Sequence, residues 1–220
     1  MANGKFHLPT GRLIALAVVA GMAAGALGVY VMGAPSGNNA PAVAAAEASC
    51  PARDALVQAV DEAARGEVAA MLAAKPLRQL GDLRFNSPEG EPMSVADLSG
   101  KTVLMNLWAT WCAPCRHEMP ALNQLQEDLG GDGFEVVAVN VDTGGDEKPK
   151  AFLEETGVDA LGYYRDSTLG LFNDLKRRGL AMGLPVTLLI DKDGCMLAHM
   201  NGPAEWASPD AKRLITTAMQ

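Results

Sequence analysis

The apolar positions of this chain change their rhythm several times, and each change predicts an element. "ARDALVQAVDEAARGEVAAMLAAK" (52–75) repeats its apolar residues at helical spacing and is rich in Ala, Leu and Glu. It predicts a helical lead-in over 50–81, with Gly66 as a division within the helix. "LRFNSPEGEPMSVADLSG" (83–100) sets turn residues at Asn86–Gly90 between short extended pieces and predicts a hairpin. "KTVLMNLWA" (101–109) and "FEVVAVNVD" (134–142) are unbroken apolar runs rich in β-branched residues, as buried strands require. A helix is expected over 113–129 between them. "EKPKAFLEETG" (147–157) predicts a helix ended by Gly157, and "LGYYRDS" (161–167) a short strand. "TLGLFNDLKRRG" (168–179) predicts a helix closed by Gly179. "PVTLLIDKDGCMLAHMNG" (185–202) reads as two strands about an Asp193-Gly194 turn. In "SPDAKRLITTAM" (208–219), Ser208 is placed as the cap and Pro209 as the first residue of a last helix. Strands alternating with helices predict an α/β fold, a central sheet with helices on both faces, over residues 82–220.

The N-terminal pattern is different. "LIALAVVAGMAAGALGVYVMG" (13–33) carries no charge over 21 positions, the length a helix needs to cross a bilayer. Lys5 and Arg12 precede it and no acid appears before Glu47. The positive flank predicts a cytoplasmic segment 1–12, a single transmembrane anchor 13–33 and an exported remainder. A cleaved signal peptide is the competing reading, although its apolar region runs to only about 7–15 residues. "APSGNNAPAVAAAEAS" (34–49) has the composition of a tether. Residues 1–40 hold two basic and no acidic residues, so the net charge of −8 becomes more negative beyond them. Such a surface excludes nucleic acid as a partner.

Four cysteines carry the candidate chemistry. Cys112 and Cys115 lie in "ATWCAPCRHEMPAL" (109–122). Structural zinc needs four ligands. With three histidines, at 7, 117 and 199, and no second close cysteine pair, the count is not met locally. Copper(I) suits thiolates, but Thr110 stands where carriers of the heavy-metal-binding type place a Met. A permanent bridge within the pair would close too short a loop to restrain much chain entropy. A redox couple accounts for more of the residues. Cys112 falls where a buried strand gives way to a helix, and free N–H groups at a helix start stabilise a thiolate. Cys115, in the first turn, is placed to resolve a mixed disulfide on Cys112. Pro114 suits the first turn because it has no N–H to leave unpaired. The other two cysteines, Cys50 and Cys195, are 145 positions apart. Leftover thiols in an oxidising compartment tend to pair, so a structural disulfide is expected. Closing that loop stabilises by about 4–5 kcal/mol in the chain-entropy model. Two independent thiols are the alternative.

"NLWATWCAPCRHEMPALNQL" (106–125), together with "GPAEWASPDAKRLI" (202–215), resembles the thioredoxin superfamily, and within it the membrane-anchored thiol:disulfide interchange proteins of the TlpA type. The resemblance implies a thioredoxin fold with a central mixed sheet and an inserted helix–strand unit, which fits 147–167. It implies a cis-proline facing the active-site sulfurs, and "GLPVTLLID" points to Pro185. It also implies that Glu118, three residues after Cys115 and so on the same helix face, serves the sulfurs, against a plain surface carboxylate as the alternative. Asn106 stands where classical thioredoxin has a titrating aspartate, so another group must handle the proton. Trp108 and Trp111 match the aromatic frame of the family site, with core packing the simpler account of Trp108. The implied function is a protein-disulfide reductase with no cofactor beyond its own Cys112–Cys115 disulfide, held as a monomer at the bacterial inner membrane with its domain in the periplasm. A membrane electron donor would re-reduce it. The implied substrates are disulfides of copper chaperones or copper-binding oxidase subunits, and alternatively apocytochromes c. A non-catalytic anchored adaptor or copper carrier on the same scaffold is the competing class.

Overall fold

The computed structural model describes Met1 and residues 50–220. The expected anchor 13–33 and tether 34–49 lie outside the described residues. Among the described residues no helix is long and apolar enough to cross a membrane.

One eight-stranded mixed sheet organises the domain, in the spatial order β1 (Leu72–Gln79), β8 (Cys195–Asn201), β7 (Val186–Ile190), β4 (Thr102–Trp108), β5 (Phe134–Asn140), β6 (Tyr164–Arg165), β2 (Arg84–Asn86), β3 (Pro92–Ser94). Its centre is β4 (Thr102–Trp108), buried at every position, parallel to β5 (Phe134–Asn140) and antiparallel to β7 (Val186–Ile190). A strand with no exposed residue must be covered on both faces, and the unbroken apolar runs reported this. The β4–β5 crossover runs through α2 (Ala113–Leu129), and β8 (Cys195–Asn201) returns antiparallel to β7 after the Asp193-Gly194 turn. The inserted unit is α3 (Glu147–Thr156), closed by Gly157 at φ 65°, with the short β6 (Tyr164–Arg165). The hairpin of β2 (Arg84–Asn86) and β3 (Pro92–Ser94) joins the sheet through β6. Two helices complete the chain order: α4 (Gly170–Arg177), and α5 (Pro209–Ala218), whose first turn is capped by the Ser208 side chain accepting from Ala211 N.

The helical lead-in needs correction. Helix α1 spans only Asp54–Ala63; Gly66 then adopts φ +56° within a single 3-10 turn. Beyond it β1 (Leu72–Gln79) is a strand, antiparallel to β8 and part of the main sheet. Local propensity lost to two stronger effects. The outer edge of β8 offers unpaired backbone groups that a strand satisfies, and Pro76 removes an N–H and pushes Lys75 towards extended backbone. The register slips between Ala73 and Arg78, where proline is tolerated in an edge strand.

Cys50 and Cys195 are joined, with Cα atoms 5.7 Å apart. Next to the bridge Arg53 pairs with Asp191 at 2.9 Å and with Asp193. Chain entry is thereby fastened to the β7–β8 turn. That turn lies at the Ile190 end of the sheet, away from the end at which β4 exits.

Candidate active site

The end of β4 is held in place from the neighbouring strand. Val141 N donates to Trp108 O at 2.9 Å. Asp142, buried, accepts from Thr110 N and Thr110 Oγ1, both at 2.9 Å, and from Asn140 Nδ2 at 2.8 Å. This clamp fixes the short path from Trp108 to Cys112. Cys112 is the N-cap of α2, in extended conformation, and its Sγ accepts from Cys115 N at 3.3 Å. The two cysteines form a disulfide, with Cα atoms 5.3 Å apart. Cys112 is 5 % exposed and Cys115 fully buried, so of the two residues only Cys112 keeps any contact with solvent. The N–H groups of the first turn and the dipole they sum to lie beside Cys112, an arrangement that favours negative charge on it when the pair is reduced.

Glu118 sits one helical turn past Cys115 and is 2 % exposed, so the surface-carboxylate alternative does not hold. Its Oε1 accepts from Asn106 Nδ2 at 2.8 Å; its Oε2 accepts from Trp206 Nε1 at 2.9 Å and Ala204 N at 3.1 Å. Burial disfavours the charged form and pushes this carboxyl up to about 7, against the three hydrogen bonds, which favour the anion. A carboxyl shifted in this direction is more easily protonated than a free one. Asn106 Nδ2 also donates to Thr187 Oγ1 at 3.0 Å on the paired strand, while its Oδ1 has no partner.

Pro185 follows a cis peptide bond from Leu184. The pairing of Leu107 with Val186 sets it at the sheet end where β4 runs into the cysteine loop. Trp108 is core, with its ring 5.5 Å from that of Phe152, whereas Trp111 is 67 % exposed beside Cys112. Trp206, Ala204 and Thr187 were not singled out from the sequence. Trp206 lies within the stretch that carried the family resemblance, but no periodicity marks it as a partner of a residue 88 positions earlier. Among the described residues no cluster of His, Cys, Asp or Glu is arranged to hold a metal ion.

A mixed sheet with a cysteine pair at a strand-to-helix junction and a cis-proline at the same sheet end defines a thioredoxin-like dithiol–disulfide protein. The chain belongs to the Redoxin family, whose model matches residues 35–215. It is 38 % identical over 120 residues to the thioredoxin-like protein YneN of Bacillus subtilis, covering 53 % of this chain and 66 % of that one. It is 32 % identical over 120 residues to the thiol-disulfide oxidoreductase ResA of Bacillus thuringiensis subsp. konkukian, covering 52 % and 62 %. The match thus spans under two thirds of these relatives' own length. Among solved structures, one described as the thiol:disulfide interchange protein DsbE of Chlorobium tepidum superposes with a TM-score of 0.55 at 27 % identity, covering 64 % of this chain and 96 % of that one.

Proposed function

We propose that this protein is a TlpA-type protein-disulfide reductase, tethered to the inner membrane with its domain in the periplasm. The observation that carries the reading is the Cys112–Cys115 disulfide at the strand-to-helix junction, with Cys112 as the N-cap of α2, Cys115 fully buried and a buried Glu118 one turn further on, whose carboxyl burial pushes up to about 7. In the reduced protein the Cys112 thiolate attacks one sulfur of a substrate disulfide. A mixed disulfide forms and the first substrate thiolate leaves. Cys115 gives up its proton, with Glu118 as the acceptor, and attacks the Cys112 sulfur. The Cys112–Cys115 disulfide closes, and the second substrate thiolate departs. Two electrons pass to the substrate, and a dithiol donor at the membrane restores the pair. The likeness to oxidoreductases and interchange proteins supports the chemistry, and the resemblance to the TlpA type supports the direction. The substrates proposed are cystines of exported copper chaperones and copper-binding oxidase subunits, whose thiols must be free before they bind metal.

Insulin reduction with dithiothreitol tests the activity: Cys112→Ser should abolish it. A Cys115→Ser variant should accumulate a mixed disulfide on Cys112 with a copper chaperone or an oxidase copper subunit. Turnover on insulin without either adduct would retain the enzyme and overturn the substrate assignment. Stoichiometric copper binding without turnover would overturn the reductase.

A further inference from the structure

Beside Cys112 the surface opens into a cleft of about 470 Å³ between the start of α2 and the inserted helix α3. Exposed Trp111 forms one wall; Lys148, Phe152 and Glu155, spaced for one face of α3, form the other. Arg116 reaches across the gap, its guanidinium 5.3 Å from the centre of the Phe152 ring. The charges differ from those of the chain as a whole. The protein carries −8, yet the cleft holds two cations and one acid. Lys150, two residues along α3, is paired with Asp146. Arg116 and Lys148 enter none of the ion pairs among the described residues. The N-terminus of α2 adds a partial positive charge on the same side. Two unspent cations and an exposed tryptophan next to the reactive sulfur make a recognition surface: the ring supplies contact area, and the charge selects.

Resting on the reductase reading, we infer that this cleft binds an extended segment of the substrate protein that carries acidic residues next to its disulfide. The charge that steers the encounter is then shared by Lys148 of the insertion and Arg116 of α2, apart from the sulfur chemistry itself. Attraction between exposed groups is modest and screened within about 8 Å at physiological salt. The expected effect is a preference, read in kcat/KM and strongest at low ionic strength.

The test uses the full-length reduced protein and three disulfide-linked peptides that differ only in flanking Asp, Ser or Lys, with 2-hydroxyethyl disulfide as a small uncharged substrate. The Asp-flanked peptide should exceed the Lys-flanked one by about fivefold to tenfold in kcat/KM at low salt, and the gap should shrink as salt is added. Lys148→Glu should cut that ratio by about fivefold. Lys192→Glu makes the same charge change in the β7–β8 turn at the far end of the sheet and should leave the ratio unchanged. Equal rates on the three peptides, or equal effects of the two substitutions, would overturn the inference while leaving the reductase intact. Failure to reduce any disulfide, the small one included, would overturn both.

Discussion

Replacing Glu118 by Gln isolates the most perturbed carboxyl of the site. A carboxyl moved from its ordinary 4.5 to about 7 by burial is easier to protonate in the folded chain than in the unfolded one. At about 1.4 kcal/mol per pH unit, the difference is about 3 kcal/mol. The sign follows from proton counts. Below pH 4.5 both states hold the proton and the group is neutral to stability. Between 4.5 and about 7 the unfolded chain has released it and the folded chain has not, so stability falls as pH rises. Above about 7 the full penalty persists. Urea denaturation of wild type and Glu118→Gln in the oxidised form, over pH 4 to 8, reads this directly. The stability of wild type minus that of the variant should drop by about 3 kcal/mol across the window, because every other titrating group cancels. Gln at this position can keep an oxygen towards Trp206 and Ala204, and the unpartnered Asn106 Oδ1 is available to its amide. A flat difference curve, or one that rises with pH, would refute the argument that burial outweighs the three donors.

Trp206→Phe removes one donor to the carboxylate, so the midpoint of that same curve should move above 7, with about 1–3 kcal/mol lost at pH 8; an unmoved midpoint would mean that the indole does not bear on Glu118. The double change Cys50→Ser with Cys195→Ala should lower stability under non-reducing conditions by about 4–5 kcal/mol at most, as read by guanidinium midpoints, while leaving the Cys112–Cys115 couple able to cycle in the insulin assay. A loss below about 1 kcal/mol would show that the bridge restrains little of the unfolded chain.

What could be read ahead of the structure was whatever is written locally. The strand at 102–108 and the helix at 113–129 come from pattern and from one proline, and their junction placed Cys112 before any fold was known. The pairing of Cys50 with Cys195 came from counting thiols, not from geometry. The strand at 72–79 was hidden because Ala, Leu and Lys favour a helix when nothing else acts; Pro76 argues locally against that helix, but the free edge of β8, which turns the segment into a strand, is contributed from more than a hundred residues away. The spacing of Glu118 put it on the same helix face as Cys115, and both are buried. Its depth was not readable, because Trp206 and Ala204 come from the segment between β8 and α5 and have no sequence relation to α2. The cleft of Trp111 and Lys148 was missed for a similar reason: it forms only where an inserted helix comes to rest beside the cysteine loop.

Cys112 carries the reactive sulfur of the pair. The direct measurement is competitive alkylation of the reduced protein by iodoacetamide at pH 7, with each cysteine followed by mass spectrometry. Cys112 should be modified first and faster than a cysteine in a flexible peptide, with Cys115 protected until the fold is opened. Equal labelling of the two, or Cys112 reacting no faster than the peptide, would contradict it.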